Sequence, residues 1–216
     1  CFAWSPDGSS IAYGTGIGDE DYISVARVGK GKPRRILGKR NVEYGLTEEY
    51  GGTTTPWSPN GRRLLFISNE NDTMDIGEFD LAKKRARWLV RSANEKYAPQ
   101  YSPDGRTLAY LEAKEPDIEL RLRRGSTTSS LSGGSGFTRS VRWLPSGDGV
   151  VFINGSATRP DELFMAKTGR PRQVTRLLRE KYPTKWLVAP RPVRYRSFDG
   201  RMIPGLLFLP RDRGCR

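Results

Sequence analysis

Short apolar triplets, with no long apolar runs, punctuate this chain: Ile11-Ala12-Tyr13, Leu64-Leu65-Phe66, Leu108-Ala109-Tyr110 and Val150-Val151-Phe152. Two residues separate each triplet from a preceding glycine, so every triplet starts at the same distance from a turn. Further along each repeat apolar and polar residues alternate, as at Ile118, Leu120 and Leu122. That is the period of a strand with one buried face. The second repeat continues through polar Ser68 to Asp72 into a strand at Ile76 and Phe79, then through Lys83-Lys84 into Trp88-Leu89-Val90. The first repeat uses Ile23 and Val25, a turn at Gly29 to Lys32, and Ile36-Leu37. The third follows Leu122 with a Ser/Gly-rich stretch from Ser126 to Gly136. The fourth uses Leu163-Phe164-Met165, a turn at Lys167 to Gly169, and Gln173-Val174-Thr175.

The turns ahead of the triplets align as Trp4-Ser5-Pro6-Asp7-Gly8, Trp57-Ser58-Pro59-Asn60-Gly61, Tyr101-Ser102-Pro103-Asp104-Gly105 and a degenerate Trp143-Leu144-Pro145-Ser146-Gly147. Proline presets φ at the second position, Asp or Asn suits the third, and glycine accepts the left-handed conformation after them. This is hairpin chemistry, and it gives Asp7 and Asp104 a turn role rather than a ligand role. The aromatic lead has the size and flatness to fill the gap between stacked sheets. A spacing of about 40 to 45 residues is that of a four-stranded propeller blade. The fold class read here is all-β: a partial β-propeller with about four four-stranded blades of a larger ring. An open arc leaves sheet edges unpaired, so further blades are expected ahead of Cys1. The start at Cys1-Phe2-Ala3-Trp4, without an initiator Met, reads as a cut through a larger protein.

Composition removes several kinds of chemistry. There is no histidine, and the cysteines are Cys1 and Cys215. A Ser-His-Asp triad cannot be assembled, nor can the His/Cys zinc patterns. No catalytic residue, metal ligand or cofactor site is expected within the chain. The mean hydropathy of −0.63 goes with no apolar stretch long enough for a membrane span, and no signal peptide is visible. Cytoplasm and periplasm both stay open, as does the oligomeric state. The net charge of +13 comes from clusters such as Lys30, Lys32, Arg34 and Arg35, then Lys83 to Arg85, then Arg121, Arg123 and Arg124. They fall at like places in successive repeats and read as decorated hairpin tips. Without a recognition motif, nucleic acid is not an expected partner.

The Trp-Ser-Pro-Asp-Gly turn followed by a short strand resembles the propeller repeat shared by TolB-like proteins and the prolyl oligopeptidase family. The stretch Pro192 to Pro210 resembles that peptidase family's junction between propeller and hydrolase, on Ser197-Phe198-Asp199-Gly200 and Ile203-Pro204-Gly205. Physically it reads as a hairpin turning at Asp199-Gly200, with Val193 and Tyr195 against Ile203 and Leu207. The resemblance divides the chain into propeller blades at 1–175, a linker at 176–191, and at 192–216 the first hairpin of an α/β-hydrolase domain. It implies a serine peptidase whose propeller gates and orients a peptide substrate. The chain itself departs from the family's catalytic pattern: Gly133-Gly134-Ser135-Gly136-Phe137 breaks the G-x-S-x-G elbow at its last position. The implied partners are the peptide, the remaining blades and the hydrolase domain. The alternative is a non-enzymatic TolB-like propeller that binds another protein.

The longest repeat contains an insertion around Asn41 to Pro56, with Glu48-Glu49 between Tyr44 and Tyr50. Long loops on a rigid scaffold often carry binding residues. In the dipeptidyl-peptidase branch of the resembled family, a Glu pair ahead of such a turn holds a substrate's free amino terminus. Glu48 and Glu49 are therefore the candidate substrate-binding residues, against the plainer reading of two solvated acids. Gly14-x-Gly16-x-Gly18 leads into a strand instead of a helix and is not a phosphate loop.

Overall fold

The computed structural model describes residues 2–17, 20–46, 55–131, 136–167, 170–176 and 187–210. Cys1, Cys215, most of the linker and the Gly133–Ser135 part of the broken elbow lie outside the described residues. Those described form eighteen strands and no helix, and none is a helix long and apolar enough to cross a membrane.

The first blade is the meander β1 (Phe2–Trp4), β2 (Ser10–Ile17), β3 (Glu20–Arg27) and β4 (Lys30–Gly38). The second is β5 (Tyr44–Gly45), β6 (Arg63–Ser68), β7 (Asp75–Asp80) and β8 (Arg85–Val90). The third runs β9 (Lys96–Tyr101), β10 (Thr107–Lys114), β11 (Asp117–Arg124) and β12 (Thr127–Ser130). The fourth runs β13 (Phe137–Trp143), β14 (Val150–Ser156), β15 (Arg159–Ala166) and β16 (Arg172–Gln173), and touches the third through one parallel bridge, Ile118 to Phe137. The Ser/Gly-rich stretch of the third repeat thus holds the fourth strand of its blade, β12. Its side chains are all exposed, so no apolar alternation marked it.

The turns fall in one register. Trp4 pairs Ile11, Trp57 pairs Leu64, Tyr101 pairs Leu108 and Trp143 pairs Val150. In each, the glycine N–H donates to the carbonyl three residues back at 2.8–2.9 Å, and the glycine φ lies between 67° and 73°. The serine hydroxyl donates to the third-position side chain, at 2.6 Å in Ser5–Asp7, 2.8 Å in Ser58–Asn60 and 2.5 Å in Ser102–Asp104. Its oxygen accepts the N–H that opens the next strand, at 2.9 Å in all three.

The turns also stack blade upon blade. A β-carbon at Gly61 would lie 3.8 Å from Pro6, one at Gly105 would lie 3.4 Å from Pro59, and one at Gly147 would lie 3.5 Å from Pro103. Each glycine therefore sits against the proline of the preceding blade. The Trp57 indole N–H donates to the Ala3 carbonyl at 3.0 Å, so the aromatic lead ties neighbouring blades as expected. Three apolar clusters fill the layers, centred on Phe66 and Trp57, on Leu65 and Tyr110, and on Phe152 and Leu120.

The turn carboxylates titrate low. Two serine hydroxyls and the Ser9 N–H bring Asp7 down to about 2, the Ser5 hydroxyl acting most strongly, and Ser102 and then the Arg106 N–H lower Asp104. A carboxylate lowered in the folded state contributes stability above its unfolded pKa, and that contribution disappears as pH falls through the folded value. Carboxyl NMR is therefore expected to place the Asp7 midpoint near 2. Asp7→Asn, copying Asn60, should keep the turn and remove that acid-range dependence. A midpoint in the ordinary aspartate range would refute the bonding scheme.

After the blades come β17 (Arg191–Arg196) and β18 (Met202–Leu207), an antiparallel pair of their own. Tyr195 faces Ile203 as expected, while Val193 faces Gly205 and Leu207 faces Arg191. The Ser197-Phe198-Asp199-Gly200 turn repeats the blade turn: Gly200 donates to Ser197 at 3.0 Å, and Asp199 accepts from the Arg201 N–H at 3.2 Å.

Candidate functional site

A propeller places its binding residues where the regular blade is interrupted, and here one blade is. The outer strand β12 is exposed throughout and β8 over its first half, whereas β9 is buried over most of its length. In the third blade the first strand is thus the inner one. Its pairing shifts between Tyr97–Leu111 and Gln100–Ala109, with Ala98 and Pro99 between. In the fourth blade the first-strand pairing shifts between Arg139–Ile153 and Arg142–Val151, with Ser140 and Val141 between. Ala98 and Ser140 take left-handed φ values of 49° and 53°, the mark of a β-bulge.

In the second blade the same break is where the insertion enters. Gly45 pairs Ile67, and the strand resumes with Leu65 donating to the Pro56 carbonyl at 2.8 Å. Residues 46–55 replace the two bulge residues of the other blades. Glu48 and Glu49 belong to this segment but lie outside the described residues. Its two anchors are described: Tyr44, Leu46 and Trp57 are buried in one cluster with Phe66. The Tyr44 ring lies 6.1 Å from Phe66, and Phe66 lies 5.5 Å from Trp88.

Around this end of the blades the polar groups are locked together. The Tyr44 hydroxyl donates to Glu70 at 3.4 Å, and Lys39 pairs with the same carboxylate at 3.0 Å. Burial, then the Glu70 charge, raises the Tyr44 pKa. Between the second and third blades, buried Lys96 meets buried Asp75 at 2.6 Å and donates to the Ser92 carbonyl at 2.8 Å. Asn71 donates to the other Asp75 oxygen at 3.2 Å. Glu112 accepts from Arg121 at 2.9 Å, Ser92 at 3.1 Å and Asn94 at 3.4 Å. At the same end, Glu115 and Pro116 border a cleft of about 210 Å³ whose far wall is Pro192, Val193 and Pro204 of the hairpin. The hairpin therefore adjoins the β10–β11 turn of the third blade.

Sequence reading missed this charged layer. Asp75 and Lys96 are ordinary polar letters until two strands distant in sequence are stacked, so no local signal marks them. Hydrogen bonds lower the turn aspartates Asp7 and Asp104, which moves both away from the range a general base needs. Among the described residues no cluster of three or more His, Cys, Asp or Glu is arranged for a metal.

No protein-family model matches the chain. Over 102 residues, 46% of this chain, it is 28% identical to the Tol-Pal system protein TolB of Desulfotalea psychrophila. Over 165 residues, 69% of this chain, it is 27% identical to an uncharacterized protein of Agrobacterium fabrum. The matched stretches span 23% and 53% of those relatives, so the chain corresponds to only part of each. Among solved structures, a puromycin-hydrolyzing peptidase of Mycobacterium tuberculosis superposes with a TM-score of 0.77 at 21% identity, over 96% of this chain and 34% of that one. A TolB from Agrobacterium tumefaciens superposes with a TM-score of 0.62 at 21% identity, over 80% of this chain and 63% of that one. The chain has the propeller fold that TolB-like proteins and these peptidases share.

Proposed function

We propose that this chain is the propeller portion of a serine-type peptidase of the prolyl oligopeptidase family, which admits and orients a peptide for a hydrolase domain that begins at Pro192. The observation that carries this reading is the hairpin β17–β18, which repeats the blade turn as Ser-Phe-Asp-Gly directly after the last blade. The peptidase structure also superposes with a TM-score of 0.77, against 0.62 and 0.65 for two TolB structures. In this reading 1–175 are blades, 176–191 the linker, and 192–216 the beginning of the hydrolase. The blades contribute no nucleophile. They narrow the approach and present Glu48 and Glu49 from the broken first strand of the second blade to a substrate's ammonium group, a charge-assisted contact that fixes where the peptide starts.

The test is kinetic. In the intact protein, Glu48→Gln with Glu49→Gln is expected to raise KM for peptide amides with a free amino terminus by about tenfold, with kcat little changed. Amino-blocked peptides should be unaffected. A serine-reactive fluorophosphonate should label the intact protein and leave residues 1–216 unlabelled. Equal effects on free and blocked peptides would remove Glu48 and Glu49 from the site, and labelling within residues 1–216 would overturn the assignment of chemistry to the following domain. The second reading, a TolB-like protein-binding propeller, is favoured by the sequence match to TolB. An intact protein that resists the fluorophosphonate would decide for it.

A further inference from the structure

The cations of the first blade converge on one groove. Arg27 ends β3, and Lys30, Lys32 and Arg34 follow along β4. All four line a groove of about 720 Å³ between the first and second blades. None makes an ion pair among the described residues, whereas the adjacent Arg35 pairs with Glu20 at 3.0 Å. The one carboxylate in the groove is Asp7, already held by Ser5 and Ser9. Val25 and Leu81 give the groove an apolar lining.

A smaller groove lined by the second blade alone shows what the repeat does when it keeps acids among its bases. There Glu78 pairs with Arg87 at 2.7 Å and Arg63 at 3.5 Å, and Asp80 stands beside Lys83 and Arg85. Counting from the shared turn register, Val25 occupies the place of Glu78, and Arg27 that of Asp80. The first blade has lost both acids and kept the bases. Edge lysines guard a strand against unwanted pairing, but that purpose needs no convergence on one cavity and no removal of acids from the adjoining strand.

We propose that the groove between the first and second blades binds an acidic peptide segment, its carboxylates paired with Arg27, Lys30, Lys32 and Arg34 and its apolar atoms against Val25 and Leu81. The volume lies within the range of sites that enclose a ligand, about 300–1,000 Å³. Nucleic acid fits less well. Trp57, the aromatic residue of the groove, is 4% exposed and its N–H is bound to Ala3, so no open ring face is offered for base stacking. The groove shares Trp57 with the cluster that anchors segment 46–55, but the proposal does not depend on the peptidase reading.

Fluorescence anisotropy of a labelled oligoglutamate peptide tests it, with an oligolysine peptide, a single-stranded oligothymidylate and inorganic phosphate as comparisons. Oligoglutamate is expected to bind, and Lys30→Glu with Lys32→Glu to weaken it by about tenfold or more. Lys83→Glu with Arg85→Glu, an equal charge change on the next blade, is expected to alter binding less than about twofold. These side chains are exposed, and circular dichroism checks that both variants keep the fold. Equal loss in the two variants would reduce the effect to net charge and overturn the site. So would absence of oligoglutamate binding, or tighter binding of the oligothymidylate or of phosphate lost in the same first-blade variant.

Discussion

Lys96→Ala is expected to lower the unfolding free energy by about 3–5 kcal/mol, the range for removing one partner of a buried ion pair. Lys96 is wholly buried, and its ammonium lies 2.6 Å from a carboxylate on the neighbouring blade that is itself buried. Deleting the cation strands Asp75. Asn71 donates to Asp75 at 3.2 Å, and Arg91 approaches it only at 3.6 Å from a half-exposed position. The Ser92 carbonyl loses its 2.8 Å donor as well. Removing both charges is different: Lys96→Met with Asp75→Asn should recover much of the loss, because a neutral pair leaves no uncompensated charge. Urea midpoints of the two singles and the double decide it. A Lys96→Ala cost below about 1 kcal/mol would mean that water reaches Asp75 in solution.

That ion pair also marks the limit of what the residues disclose on their own. The turn repeat is legible because it is local: five consecutive residues close the hydrogen bonds from Ser5 to Asp7 and from Gly8 to Ser5 without help from the rest of the chain. Its register then fixes where every triplet starts. The stacking of Gly105 on Pro59, the lock of Lys96 on Asp75 and the donation from Tyr101 to Glu78 join different blades, so no window of the sequence contains both partners. The bounds of strand β12 stayed hidden for another reason, since four exposed Ser and Thr residues give no apolar period.

The candidate site divides in the same way. An unusually long repeat was visible in the spacing of the turns, and it directed attention to Glu48 and Glu49. That the extra residues replace a β-bulge in a blade's first strand was not visible, because the bulges at Ala98 and Ser140 show no signature glycine. The structure supplies the frame: a break built into the first strand of three consecutive blades and enlarged in one of them.

Phe66→Ala should therefore damage fold and function together. Phe66 is 1% exposed and lies on β6 between Leu65, which holds Pro56, and Ile67, which holds Gly45. It is the residue under the gap. Its ring neighbours the Tyr44 and Trp88 rings and covers Gly77, leaving no room there for a β-carbon. Truncation of a buried Phe costs about 3–5 kcal/mol through lost burial and the cavity left behind. That loss falls where both ends of segment 46–55 are anchored. Below the melting range of the variant, KM for peptides with a free amino terminus is expected to rise, as proposed for the Glu48/Glu49 variant. Phe152→Ala is the control, since Phe152 is equally buried and stacks 5.7 Å from Phe164 in the fourth blade. It should cost similar stability and leave KM unchanged. If both variants shift KM alike, the effect is general loosening and the broken strand has no special part in holding substrate.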